Sequence, residues 1–124
     1  MDEREIKFDR EGLLPVVVQD QAGRVLMVAY MNKEALRLTL ETGKMHYFSR
    51  HRQKIWLKGE TSGHYQHLKK LFIDCDGDCL LAVVEQNGAA CHTGYYSCFF
   101  RSFANGKFVV SEKKIFDPKE VYRT

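Results

Sequence analysis

Lys33 to Thr42 is the one long stretch in this chain with the composition of a helix, with Asn32 before it as N-cap and Gly43 after it at the C′ position. That scarcity constrains the fold more than any other feature. Leu36 and Leu40 fall on one face of the helix and, with Ala35, are expected to cover a sheet. The other apolar residues come in short β-branched or alternating runs separated by turn residues. Leu14 to Asp20, the turn Gln21-Ala22-Gly23 and Arg24 to Met31 read as an opening hairpin. Met45 to Ser49, Lys54 to Lys58, Tyr65 to Ile73 and Leu80 to Glu85 read as further strands. Tyr96 to Phe103 and Lys107 to Val110 are joined through Asn105-Gly106, a pair suited to a type I′ turn. Asp117-Pro118-Lys119-Glu120 carries the N-cap, N1 proline and N3 glutamate of a short terminal helix. This order is not the regular strand–helix alternation of a doubly wound fold. The expectation is a mainly β (α+β) protein, a curled, mostly antiparallel sheet or pseudo-barrel capped by one helix, in a single domain spanning 1–124.

Bulk properties narrow the function. Met1 to Glu5 is charged and no apolar h-region follows, which argues against a secretory signal. No apolar run approaches the ~20 residues of a membrane span. The expected compartment is the cytoplasm, where thiols stay reduced, so the 4 cysteines read as metal ligands, catalytic groups or core filler before disulfides. A net charge of +3 suits anionic small molecules and falls short of the basic bias of a nucleic-acid module.

All 4 cysteines lie between Asp74 and Cys98, with aspartates at alternate positions among the first of them. If Asp74 to Asp78 is extended, period two puts Asp74, Asp76 and Asp78 on one side and Cys75 on the other. Such carboxylates repel unless a cation neutralises them, and oxygen-only ligands suit Mg²⁺ or Ca²⁺. A solvated acidic turn is the plainer reading. Glu85 stands at the twelfth position from Asp74, as in an EF-hand. Cys79, however, occupies the position where that loop needs glycine, and Leu80 to Val84 is a strand pattern.

Cys75, Cys91 and Cys98 are natural zinc ligands, although their spacing is not that of a zinc finger. Three thiolates with an open position would describe a catalytic zinc, and four a structural one. Cys79 leads directly into an apolar strand and reads best as a small buried hydrophobe. His92 adjoins Cys91, where a proton shuttle would serve a metal-activated water.

The second unusual segment runs from Ser49 to His64. Arg50, Arg52, Lys54 and Lys58 occupy even positions, and an extended chain would present them on one side toward phosphate oxygens. Gly59 and Gly63 free the backbone around Thr61 and Ser62 to approach an anion. An exposed polar edge strand, with Trp56 in the core, accounts for the same residues.

Together the segments resemble phosphoribosyl-AMP cyclohydrolase of histidine biosynthesis. The resemblance rests on Ala29-Tyr30-Met31-Asn32, Ser49-Arg50, Arg52, Trp56, the run Lys58-Gly59-Glu60-Thr61-Ser62-Gly63-His64, Asp74-Cys75-Asp76 with Asp78, Cys91-His92-Thr93-Gly94 and Ser97-Cys98-Phe99. It extends from about Leu14 to Phe103. It implies a cytoplasmic homodimer acting on a nucleotide, with zinc on Cys75, Cys91 and Cys98 shared between subunits and magnesium on Asp74, Asp76 and Asp78. The reaction implied is hydrolytic opening of the adenine ring of 1-(5-phosphoribosyl)-AMP at C6–N1. His92 is then the expected proton-transfer group, with His64 second. Arg50, Arg52, Lys54, Trp56, Lys58, Glu60, Thr61 and Ser62 become expected substrate contacts. Neither nucleic acid nor membrane is an expected partner. Cys79 departs from the family, which commonly has a small apolar residue there. Some members are fused to a pyrophosphohydrolase domain, which is not expected in this chain. The competing readings are a zinc-stabilised RNA-binding module, with Cys79 completing a tetrathiolate, and a different zinc hydrolase acting on a nucleotide.

Overall fold

The computed structural model describes residues 5–122. Strands β1 (Leu14–Asp20) and β2 (Val25–Met31) form the opening hairpin, in the register Leu14↔Met31 to Gln19↔Val25 with a bulge after Val18. Helix α1 (Lys33–Thr42) follows at once. The Asn32 side chain accepts a hydrogen bond from the Ala35 N–H at 2.8 Å, and Gly43 ends the helix at φ 76° with its N–H on the Thr39 carbonyl. Strands β3 (His46–Ser49) and β4 (Lys54–Leu57) pair as a small separate sheet. Strands β5 (Gln66–Ile73) and β6 (Leu80–Gln86) flank the aspartate–cysteine turn, and β7 (Arg101–Ala104) with β8 (Lys107–Val110) makes a second isolated hairpin. Asn105 and Gly106 both take positive φ, 52° and 80°, as a type I′ turn requires. A four-residue helix, α2 (Pro118–Val121), is capped by Asp117.

The protein is mainly β, as the sequence predicts, but its principal sheet is open and mixed. Its order is β2-β1-β6-β5, and the central pair β1–β6 is parallel, with Val16 opposite Leu80 and Val18 opposite Ala82. No closed barrel forms among the described residues. The chain between β1 and β6 is long enough to carry β6 back alongside β1 in the same direction, which a tight turn cannot do. Alternation along both strands buries Leu14, Val16 and Val18 beside Leu80, Ala82 and Val84. This face, with Leu26, Met31, Met45 and Tyr47, is the core.

Helix α1 covers the core with Ala35, Leu36 and Thr39, whereas Leu40, expected to join them, is 42% exposed. Thr39 lies one turn beyond both Ala35 and Leu36, so the buried stripe centres on it and turns Leu40 outward. Its hydroxyl is satisfied, donating to the Ala35 carbonyl and accepting from the His46 N–H, both at 2.9 Å. The strand expected from Tyr96 begins only at Arg101. Before it, the Cys98 N–H donates to the Leu26 carbonyl and the Ser97 hydroxyl to the Val25 carbonyl, each at 2.8 Å. These bonds dock the segment against β2 instead of extending the hairpin.

Tyr96 joins that segment to the β1–β2 turn, donating to the Asp20 carboxylate at 2.6 Å. Partial burial pushes the Asp20 carboxyl up, but the Tyr96 hydroxyl and the N–H groups of Arg24, Ala22 and Gly23 outweigh it and hold the group below the usual aspartate range. Burial and the Asp20 carboxylate drive the Tyr96 phenol up to about 12. A depressed carboxyl stabilises the fold above its unfolded pKa, and the contribution is lost as pH falls through the folded value. A raised phenol stabilises it below the unfolded tyrosine value and loses that contribution as pH rises toward the folded one. Tyr96→Phe is therefore expected to cost about 1–2 kcal/mol in urea unfolding at pH 7. The deficit should shrink as pH falls through the Asp20 titration; a pH-independent deficit would assign the loss to packing instead.

Candidate active site and metal ligands

The aspartate run is not extended. Residues 74–78 turn tightly between β5 and β6, with the Asp74 N–H on the Cys79 carbonyl at 3.0 Å and the Asp78 N–H on the Asp74 carboxylate at 3.0 Å. Gly77 takes φ 77°, and a Cβ there would lie 2.5 Å from the Glu5 carbonyl oxygen. The turn achieves by curvature what period two was expected to do: one carboxylate oxygen from each of Asp74, Asp76 and Asp78 lies within 4.8 Å of the others, all exposed. The Asp78 carboxyl is pushed up by its hydrogen bond with Asp74, by the Asp74 charge and less strongly by Asp76. Like charges crowded in this way favour a proton or a cation. An all-oxygen donor set fits a hard divalent ion.

The thiols divide. Cys91 is buried and its Sγ lies 2.8 Å from the Thr93 hydroxyl. The Cys98 thiol is its neighbour: although the residue is exposed, partial loss of solvent around the thiol, then the Cys91 charge, pushes it up to about 11, while Lys58 opposes the shift. Cys75 is exposed on the acidic turn and does not join them; among the described residues, only the aspartates bring three such ligand atoms together within one chain. Cys79, expected to be a buried filler, is half-buried, with its Sγ 3.7 Å from the Leu80 carbonyl.

The basic row does not form. Residues 50–53 are a turn, with Gln53 at φ 54°, so the even-numbered cations do not share one side of a strand. Arg50 lies over the Tyr30 ring, 4.1 Å from its centroid, and Lys54 begins β4 as an exposed residue. Lys58 is only 8% exposed and donates through Nζ to the Ala90 carbonyl. Burial lowers its pKa, and the Cys98 and Cys91 charges resist that shift. Its ammonium thus serves the cysteine side of the site as a buried counter-charge.

A cavity of about 230 Å³ gathers most of the other expected contacts. Arg52, Trp56 and Lys58 form one part of its wall, the loop Glu60-Thr61-Ser62 another, and His92, which follows Cys91 in the chain, a third; Cys91 and Cys98 themselves do not line it. The loop is tight: Gly63 N–H donates to the Gly59 carbonyl at 2.8 Å, and a Cβ at Gly59 would meet the Tyr65 nitrogen at 2.7 Å. Arg50, Lys54 and His64 do not line this cavity. The His64 ring packs edge-on against Phe116, centroids 4.8 Å apart, and accepts from the Ala89 N–H at 3.4 Å.

The family model described as phosphoribosyl-AMP cyclohydrolase matches residues 27–100, which hold every site residue expected from the sequence. The chain belongs to the phosphoribosyl-AMP cyclohydrolase family. A phosphoribosyl-AMP cyclohydrolase of Methanocella arvoryzae is 60% identical over 115 residues, covering 92% of this chain and 94% of the relative. One from Methanoregula boonei is 57% identical over 118 residues, covering 94% of each. The histidine biosynthesis bifunctional protein HisIE of Thermoanaerobacter pseudethanolicus is 55% identical over 120 residues, but this chain spans 56% of that protein's length.

Beyond the matched stretch, the chain adds to the cavity a residue that sequence reasoning missed. Tyr122, just after α2, lines the cavity next to His92, with ring centroids 6.5 Å apart. A lone tyrosine so far from the Cys-His-Thr-Gly box carries no signal in the sequence. Only the path of the chain reveals it.

Proposed function

We propose that this chain hydrolyses the C6–N1 bond of 1-(5-phosphoribosyl)-AMP, opening the adenine ring to the imidazole carboxamide intermediate of histidine biosynthesis. The observation that carries the reading is a single cavity lined by His92, the neighbour of Cys91 in the chain, together with Arg52, Trp56 and the Thr61–Ser62 hydroxyls. Soft thiolates fit zinc, which would be held by Cys91 and Cys98 together with the Cys75 of a second subunit. The chemistry such an ion supplies is hydroxide near neutral pH. Asp74, Asp76 and Asp78 would hold magnesium.

The chain's own residues do the rest. Trp56 offers a flat face to the purine, and Arg52, Thr61 and Ser62 supply donors to a phosphate. Oxygen from water adds at C6, the C6–N1 bond breaks, C6 becomes the carboxamide carbon, and N1 must gain a proton. His92, which lines the cavity, would accept the proton from water and return it to N1.

A homodimer is supported by two features: the exposed Cys75 lies apart from Cys91 and Cys98, and Phe103, Phe108 and Val110 on the β7–β8 hairpin are more than half exposed. The cytoplasm is the compartment proposed, since the 4 cysteines are free. No helix among the described residues is long and apolar enough to cross a membrane.

The test is ring opening of N1-phosphoribosyl-AMP followed by the change in ultraviolet absorbance. Turnover should stop on zinc chelation and return on readdition. Metal-replete protein that leaves the substrate intact would overturn the proposal.

A further inference from the structure

The cavity just described adjoins another. Beyond His92 and Tyr122 lies a second space of about 410 Å³, bounded by those two side chains with Thr93, Lys114, Pro118 and Lys119. His92 and Tyr122 line both spaces and so stand at the boundary between two compartments. Each compartment has basic side chains along its wall: Arg52 in the first, Lys114 and Lys119 in the second, where the lysine stems line the space and the Lys114 ammonium lies 6.0 Å from the Tyr95 ring centroid. Both lysines are exposed, and among the described residues neither has a carboxylate within salt-bridge reach.

The segment carrying them is tied to the site. The Ile115 N–H donates to the Gly94 carbonyl at 2.7 Å, and Phe116 packs on His64. Gly94 sits at φ 108°, where a Cβ would lie 2.8 Å from the Phe116 carbonyl oxygen and 3.1 Å from the Lys114 stem. Glycine therefore allows the segment to lie directly on the Cys-His-Thr-Gly box.

Resting on the function proposed above, the substrate is a purine with two phosphorylated ribosyl arms, one on N9 and one on N1. The first cavity, about 230 Å³, is smaller than the ~300 Å³ that usually begins to enclose a ligand of drug size. It has the indole for the purine. The bond to be broken is next to N1, and the proton-transfer histidine stands at the boundary. We propose that the N1 arm passes between His92 and Tyr122 into the second compartment, where Lys114 and Lys119 receive its phosphate. The AMP moiety stays with Trp56, Arg52 and the Thr61–Ser62 loop, and Tyr122 is a positioning residue between the two.

AMP, which lacks the N1 arm, separates the compartments. Trp56 is the only tryptophan, so its fluorescence reports AMP binding in the first cavity. In the intact protein, Lys114→Gln with Lys119→Gln should leave AMP affinity within about twofold and raise KM for N1-phosphoribosyl-AMP roughly tenfold or more, with kcat largely kept. Arg52→Gln should weaken both ligands. Replacement of both lysines by arginine should restore KM. An unchanged KM in the glutamine variant, or an equal loss of AMP affinity, would overturn the assignment. A wild-type protein that does not turn over the substrate would overturn the reading beneath it, and this one with it.

Discussion

Mixing an inactive Cys75→Ala protein with an inactive Cys98→Ala protein, after subunit exchange, is expected to restore about a quarter of wild-type activity. If Cys75 serves the partner's site, a mixed dimer places both defects in one site and leaves the other whole. Half of the dimers are mixed at random and each then has one working site of two, which gives the quarter. Each variant alone should lose essentially all turnover and most of its zinc, because removing one thiolate of three leaves a site that holds the ion poorly. Zinc content should recover in parallel with activity. The structure motivates this directly: Cys91 and Cys98 are neighbours, while Cys75 lies apart on the acidic turn. No recovery on mixing, with exchange shown by differently tagged subunits, would place the complete ligand set within one chain.

His92→Ala is expected to lower kcat by about 10²–10⁴-fold, the usual contribution of a positioned acid–base group. Zinc content and dimer assembly should hold, since His92 is an exposed residue beside the cavity and takes no part in the core. His64→Ala is the informative contrast. His64 packs between Gly88, where a Cβ would come within 2.5 Å of its ring, and Phe116. Its loss should appear in thermal stability before it appears in kcat. Near-normal turnover of His92→Ala would remove that residue from the proton-transfer step. A collapse of kcat in a well-folded His64→Ala protein would transfer the role there.

The legible parts of this protein were those decided by neighbours in sequence. Asn32 and Gly43 bound α1 because caps act within one turn, and Asn105-Gly106 makes its turn because two consecutive residues tolerate positive φ. The parallel β1–β6 pairing was not legible, because a parallel partner is chosen by the path of the whole intervening chain. Alternating charge at Arg50, Arg52, Lys54 and Lys58 resembled a strand face, yet the first part is a turn and the last ammonium is buried. Charge spacing does not distinguish a turn from an edge strand when apolar alternation is missing. The candidate metal residues were legible by chemical type, and the aspartates converge even though the geometry expected of them was wrong. Tyr122 and the lysines before it were not, since ordinary residue types become site residues only through where the chain returns.

The parallel pairing also orders events as the chain leaves the ribosome. Val16, Val17 and Val18 emerge early, but Leu80, Leu81 and Ala82, which must lie beside them, are synthesised much later. Until then β1 has β2 on one side and a bare hydrogen-bonding edge on the other, in an apolar β-branched segment prone to recruit the wrong strand. The nascent chain is therefore exposed to misassembly until β6 is made, just before Cys91, His92 and Cys98 of its candidate active site, and slowing translation across β5 would lengthen that interval.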